Sequence, residues 1–228
     1  MDVANPKLWS VDSPNLYWVR TEIIQNGKVV DSTDSRFGIR YIATDPNSGF
    51  YLNGVHTKLN GVCEHSDLGS LGMETYQAAV DRRIRTLKKY GVNAIRTSHN
   101  PVSPEFIEAC DRLGMLVFEE AFDQWLYSKN SDDYHNYFNK AADGKTVVFD
   151  KAGNDNTNND TSYIEVKRDD LQSNAERDIK AMVERDKNAP CIFAWSTGNE
   201  IYDARYKHGE NTLDMLTGWI KEIDTTRP

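Results

Sequence analysis

The chain has 228 residues, 39% of them hydrophobic and 27% charged, which predicts a folded protein with a sizeable core. Its net charge of −8 excludes the basic footprint of a nucleic-acid-binding protein, so we expect no nucleic-acid partner. No apolar run approaches the roughly 20 residues of a membrane-spanning helix, so no membrane partner is expected. The three cysteines lie in or beside apolar runs and match no zinc spacing, which favours buried thiols.

The first part of the chain, residues 1–42, has the pattern of β-structure. Residues 16–24 are rich in β-forming side chains, Asn26-Gly27 predicts a tight hairpin turn, and residues 28–30 and 36–42 would form the next two strands. Because three strands cannot bury two faces, they predict the end of a β-sandwich whose other strands precede this chain. The polar opening shows no signal peptide, and we expect the natural N-terminus to lie upstream.

Strands and helices alternate from residue 58 onward, after a short strand and turn at residues 50–55. Strands are predicted at 58–62, 93–96, 115–118 and 191–195, and helices at 73–90, 103–113, 168–185 and 212–223. This alternation predicts a parallel α/β sheet. Four such units are half of a (β/α)8 barrel, the TIM barrel.

One polar stretch, residues 128–162, interrupts this alternation and is predicted to be a long loop. Its most Asn/Asp-rich part, residues 153–160, lacks the ligand order of a calcium-binding loop, so metal binding there is disfavoured. Asn159 begins a glycosylation sequon, which has meaning only in a secreted eukaryotic protein.

Polar residues follow each of the four predicted strands. They are Glu64-His65, then Arg96 to Asn100, then Glu119-Glu120 with Asp123 and Trp125, and finally Asn199-Glu200. Because parallel strands place their carboxyl ends at one edge, we expect these side chains to converge on a site. Each also has a structural interpretation. The histidines would be hydrogen-bonded loop residues. Arg96 is favoured to pair with Glu119 or Glu120. Trp125 would pack within its loop and would not stack on a sugar ring.

Glu200 is the residue that best suits chemistry on a sugar. It follows an apolar strand directly, beside the amide of Asn199 and near the indole of Trp195. A carboxyl group with aromatic and apolar neighbours has a raised pKa, so it holds a proton near neutral pH and acts as a general acid. The alternative is a strand-end glutamate that forms a salt bridge or caps the next helix.

Two long motifs resemble the signatures of glycoside hydrolase family 2. Residues 93–101 read Asn-Ala-Ile-Arg-Thr-Ser-His-Asn-Pro, and the stretch from Asp186-Lys187-Asn188-Ala189-Pro190 through Trp195-Ser196 to Asn199-Glu200 resembles the acid/base signature. Asn100, Ala189 and Ala194 depart from the usual pattern, and none of them touches Glu200. Residues 63–72 and 120–125 look like the bacterial β-galactosidase branch.

The resemblance implies two domains and a retaining mechanism. Residues 1–42 would end an immunoglobulin-like β-sandwich, and residues 43–228 would be the N-terminal half of a TIM-barrel catalytic domain. Glu200 would be the acid/base group of a double displacement, with the nucleophile beyond the chain end. Asn199, His99, His65, Glu120, Asp123 and Trp125 would bind the substrate. The isolated chain is expected to be inactive, because one carboxylate does not complete the double displacement.

The substrate implied by the resemblance is a terminal β-D-galactoside. The alternatives are a β-glucuronide or β-mannoside, and a non-catalytic carbohydrate-binding half-barrel module. No cofactor is implied; some family members use a divalent cation, but no complete ligand set is visible in this sequence. Open sheet edges and an exposed apolar face predict that the isolated chain dimerises, aggregates or stays partly molten, so a homo-oligomer is one of the expected outcomes. A bacterial cytoplasm or periplasm is expected, without a choice between them.

Overall fold

This computed structural model describes residues 3–125, 147–150, 163–166 and 174–228. The strands are β1 (Tyr17–Gln25), β2 (Lys28–Phe37), β3 (Ile42–Asp45), β4 (Gly49–Leu52), β5 (Val55–His56), β6 (Gly61–His65), β7 (Ala94–Ser98), β8 (Leu116–Glu120), β9 (Val147–Asp150), β10 (Tyr163–Val166) and β11 (Ile192–Ser196). The helices are α1 (Gln77–Lys89), α2 (Pro104–Leu113), α3 (Asn174–Asp186) and α4 (Lys207–Lys221). Among these described helices, none combines the length and apolar character needed to cross a membrane.

A four-stranded parallel sheet in the order β11-β8-β7-β6 forms the centre of the fold. Each of its strands is followed along the chain by a helix, as expected for four βα units of a TIM barrel. Buried side chains from strands and helices form one apolar core. Its fully buried large members include Ile84, Ile95, Met115, Leu116, Ile179, Ile192 and Leu216.

Local sequence signals account for the bounds of several elements. Asn26 and Gly27 both have positive φ and turn β1 into β2, which pair antiparallel. The Ser103 hydroxyl accepts a hydrogen bond from the Phe106 amide and caps α2, and Gly114 ends that helix in the left-handed region. The hairpin turn predicted at Asn26-Gly27 is confirmed, and the helix predicted at residues 103–113 is found as α2.

The predicted strand over residues 36–42 is wrong. Phe37 ends β2, and Ile42 begins β3 of a separate antiparallel sheet, β3-β4-β5. Between them the Arg40 side chain turns toward the barrel and donates a hydrogen bond of 2.9 Å to the carbonyl oxygen of Pro190. This buried contact with the barrel replaces the strand pairing that the β-forming residues favour locally.

Other predicted bounds also change. The stretch at residues 128–162 is not a loop throughout, because β9 pairs antiparallel with β10. The last helix begins at Lys207 instead of residue 212, because its polar first turn has no apolar periodicity to detect. Residues 153–160, with the sequon, lie outside the described part of the chain. The assignment of residues 1–42 to an immunoglobulin-like domain stays a prediction.

Candidate active site

The polar ends of the four parallel strands meet at one edge of the sheet. His65 pairs in register with Ser98, and Glu120 pairs with Ser196. Side chains two residues apart on a strand point to the same face, so Arg96 lies on the same side of β7 as Ser98. The structure therefore brings the predicted strand-end residues together.

A buried ion pair between Arg96 and Glu120 lies at the centre of this edge. The Arg96 Nε atom donates to Glu120 Oε2 at 3.0 Å, and Arg96 Nη2 donates to Glu120 Oε1 at 2.8 Å. Glu120 is 0% exposed, and Ser196 Oγ donates a further hydrogen bond of 2.7 Å to its Oε2 atom. Burial alone would lower the pKa of Arg96, but its hydrogen bonds and charge attraction to Cys63 and Glu120 raise it. The arginine therefore keeps its charge.

This geometry confirms the predicted structural pairing of Arg96 with Glu120. It favours a positioning role for Glu120 over direct contact with a sugar, because the carboxylate is covered and both of its oxygens are occupied. Ser196 was missed in the sequence analysis. The sequence carried one signal for Ser196. It lies two residues after Ala194 on β11, and residues two apart on a strand have their side chains on the same face.

Two histidines line the exposed side of this ion pair. His99 Nδ1 lies 2.8 Å from Glu120 Oε1, and the His65 ring stands edge-on to the His99 ring, with centroids 5.3 Å apart. His65 is exposed and His99 is partly exposed, so both imidazoles reach the surface of the edge. Their contact with a sugar stays a prediction.

Asn199 and Glu200 follow β11 at the same edge. Asn199 is buried; its Oδ1 atom accepts a hydrogen bond of 2.8 Å from Arg96 Nη2, and its Nδ2 atom donates one of 2.9 Å to Asp123 Oδ1. Glu200 has a positive φ of 47° and is exposed. This exposed position differs from the apolar surroundings expected for Glu200.

Trp125 takes a different place from the one that a sugar-stacking platform requires. Its side chain is buried, and its Nε1 atom donates a hydrogen bond of 2.7 Å to the carbonyl oxygen of Thr197. The indole therefore supports the turn that precedes Asn199. This position favours the loop-packing interpretation of Trp125.

Glu119 points away from the site, toward the helices. It is fully buried; its Oε1 atom accepts a hydrogen bond of 3.2 Å from Arg185, and its Oε2 atom has no hydrogen-bond partner among the described residues. Burial and the nearby charge of Asp186 raise the pKa of Glu119 well above its ordinary value, although Arg185 acts in the opposite direction. Of the two adjacent glutamates of β8, Glu120 thus faces the site, whereas Glu119 faces the supporting helices behind it.

The residues that the structure describes do not fit a metal centre. Within that part of the chain, no three His, Cys, Asp or Glu side chains are arranged to hold a metal ion.

Comparisons with protein families extend over both parts of the chain. Residues 44–228 match the description "Glycosyl hydrolases family 2, TIM barrel domain", and residues 1–40 match "Glycosyl hydrolases family 2". A crystal structure of a family 2 member from Bacteroides cellulosilyticus superposes with a TM-score of 0.79 at 38% sequence identity. The match covers 98% of this chain and 24% of that one.

Curated relatives include enzymes with two different sugar specificities. A beta-galactosidase of Bacteroides ovatus is 37% identical over 215 residues, which is 94% of this chain and 21% of that protein. A beta-glucuronidase of Bacteroides fragilis is 25% identical over 230 residues, which is 99% of this chain and 28% of that protein. The chain thus spans between a fifth and a third of the length of these relatives.

Proposed function

Because this chain belongs to glycoside hydrolase family 2, we propose that it forms the acid/base half of a retaining glycosidase that cleaves terminal β-D-galactosides. The observation that carries the proposal is the contact between strand ends. Arg96 from β7 holds the amide of Asn199 directly beside Glu200, and Glu200 is exposed after the end of β11. A carboxyl group at this edge of a TIM barrel lies where catalytic residues are found.

In the first step, Glu200 donates its proton to the glycosidic oxygen as the bond from that oxygen to the anomeric carbon breaks. A second carboxylate, which we place on a strand later than β11, forms a bond to that carbon. In the second step, the Glu200 carboxylate takes a proton from water, and the water oxygen displaces the second carboxylate. The exposure of Glu200 supports this double role, because both the leaving group and the water must reach it.

Asn199 and His99 are proposed to hold the sugar. Asn199 would donate to the 2-hydroxyl, a contact that strengthens in the transition state. His99 Nδ1 faces a carboxylate oxygen, so in the neutral imidazole the proton lies on Nδ1 and Nε2 is left as an acceptor. An acceptor suits the hydroxyl group of a neutral sugar.

The arrangement of charge supports a galactoside over a glucuronide. The two arginines that contact the ends of β6 and β7 are already paired, Arg83 with Glu64 at 3.1 Å and Arg96 with Glu120 at 2.8 Å. Neither offers an unpaired guanidinium to a uronic acid carboxylate, and the Asp123 side chain would repel one. A neutral hexose avoids that repulsion.

The test compares leaving groups in the protein at its natural length. Glu200→Gln is expected to lower kcat/KM on 4-nitrophenyl β-D-galactoside by roughly 10²–10⁴-fold, because the acid is lost. The loss should be much smaller on the 2,4-dinitrophenyl galactoside, whose leaving group departs without a proton. Glu22→Gln on the exposed part of β1 is the matched control.

Two results would contradict parts of this proposal separately. Equal losses on both galactosides would overturn the acid/base role of Glu200. Faster hydrolysis of 4-nitrophenyl β-D-glucuronide than of the galactoside by the unmodified protein would overturn the substrate while the acid/base role stands.

A further inference from the structure

The Asn199 side chain is held from both ends by groups of opposite charge. Its Oδ1 atom accepts from Arg96 Nη2 at 2.8 Å, and its Nδ2 atom donates to Asp123 Oδ1 at 2.9 Å. A guanidinium only donates hydrogen bonds, and a carboxylate only accepts them. The two partners therefore determine which end of the amide is oxygen and which is nitrogen.

Arg96 by itself holds the amide weakly, because its Nη2 group is shared. That group has two hydrogens, and three acceptor atoms lie 2.8 Å from it: both Glu120 oxygens and Asn199 Oδ1. The ionised Glu120 is the strongest competitor for these hydrogens. A second partner is needed to keep the amide in one orientation.

We infer that Asp123 is a positioning residue that orients the Asn199 amide toward the sugar 2-hydroxyl. This inference rests on the proposed function. An amide nitrogen carries two hydrogens, and Asp123 takes one of them, which leaves the other for the substrate. A rotated amide would place its oxygen against the Asp123 carboxylate, which repels it, and would present an oxygen where the 2-hydroxyl needs a donor.

Asp123 thus acts through Asn199 and not by touching the sugar. It comes from the loop after β8, whereas Asn199 comes from the loop after β11, so their hydrogen bond joins residues 76 positions apart. Asp123 is exposed and Asn199 is buried, so the carboxylate lies on the outer side of the amide. The contact also ties the two loops together beside Glu200.

The experiment measures kcat/KM on 4-nitrophenyl β-D-galactoside and on its 2-deoxy analogue, with the protein at its natural length. Asp123→Ala is expected to lower kcat/KM on the galactoside by roughly 10–100-fold, the worth of one hydrogen bond to a charged or transition-state group. On the 2-deoxy substrate the loss should be less than about 3-fold, because the contact that Asp123 supports is absent. Asp31→Ala on β2 is the control for a lost surface carboxylate.

A double variant tests whether the effect passes through Asn199. Asp123→Ala combined with Asn199→Ala should be no slower than Asn199→Ala alone. Equal losses on both substrates, or additive losses in the double variant, would overturn the inference.

A structural readout separates this inference from the proposed function. In a crystal structure of the Asp123→Ala protein, the Asn199 side chain is expected to be displaced or to occupy two conformers. A single unchanged conformer would overturn the positioning role, whether or not the protein hydrolyses a galactoside. Absence of hydrolysis of any β-glycoside by the unmodified protein would instead overturn the proposed function.

Discussion

Trp125 donates a hydrogen bond of 2.7 Å from its Nε1 atom to the main-chain carbonyl oxygen of Thr197, which lies 72 residues later in the chain. The contact joins the loop after β8 to the loop after β11, immediately before Asn199 and Glu200. The buried indole of Trp125 supports the turn that precedes Asn199, and its hydrogen bond holds this turn in place.

Trp125→Phe removes the donor and leaves the Thr197 carbonyl without this partner. We expect the free energy of unfolding to fall by about 1–3 kcal/mol, as for an unsatisfied buried acceptor. The turn should also shift Glu200, so kcat should fall. Urea denaturation and steady-state kinetics measure both effects. Trp18→Phe is the control, because that indole is 65% exposed on β1; equal effects of the two substitutions would contradict the supporting role.

Gly198→Ala tests how tightly the same turn is packed. A β-carbon at Gly198 would lie 2.5 Å from Ile201 Cδ1 and 2.8 Å from Trp125 Nε1, which is closer than real contacts allow. Either neighbour must move, so we expect overpacking to cost roughly 1–3 kcal/mol, with loss of turnover. In Gly218→Ala no atom of the residues that the structure describes lies within 4 Å of the added carbon. That helix variant should gain about 0.5–1 kcal/mol, and the same gain at Gly198 would count against the prediction.

Glu119→Gln should change how stability depends on pH. The pKa of Glu119 is raised, first by burial and then by Asp186. The folded chain therefore holds this proton more tightly than the unfolded chain, and the free energy of unfolding falls as pH rises above the unfolded carboxyl pKa of about 4.3. Glutamine keeps an acceptor for Arg185 and supplies an N–H in place of the acidic proton.

The measurement is the urea unfolding midpoint between about pH 5 and pH 8, where the raised pKa of Glu119 acts. The wild-type midpoint should decrease with rising pH, and the decrease should be smaller in Glu119→Gln. Glu22→Gln on β1 should leave the wild-type slope unchanged. Identical slopes for wild type and Glu119→Gln would show that Glu119 does not carry the proton.

Arg36→Met tests the link between the first hairpin and the barrel portion. Arg36 Nη2 lies 2.9 Å from Asp111 Oδ2, and the Asp111 side chain is 1% exposed. Removal of the arginine leaves a buried charge with one partner fewer, so we expect a loss of about 3 kcal/mol in the free energy of unfolding.

Chemical denaturation again measures the loss, and the same hairpin offers a control. Arg20→Met breaks the pair with Asp34, in which both side chains are well exposed, and should cost less than about 1 kcal/mol. A loss at Arg36 as small as that at Arg20 would mean that water replaces the arginine.

Elements whose causes are local could be predicted from the sequence alone. Three features depend on neighbours within a few residues, and all three are found in the structure. They are the positive φ at Asn26-Gly27, the Ser103 cap and the apolar strands between amphipathic helices. The meeting of the strand ends also followed, because parallel strands share one carboxyl edge. Where a distant contact outweighed local preference, as at Arg40, the predicted strand was wrong.

The role of each polar side chain at that edge depends on tertiary contacts. Glu119 and Glu120 are adjacent and chemically alike, yet one faces the helices and the other faces Arg96. The orientation of Asn199 depends on partners 76 and 103 residues away. Hydrogen bonds at these separations form only after the strands have packed, and burial then makes each unpaired alternative costly. No local pattern in the sequence carries that information.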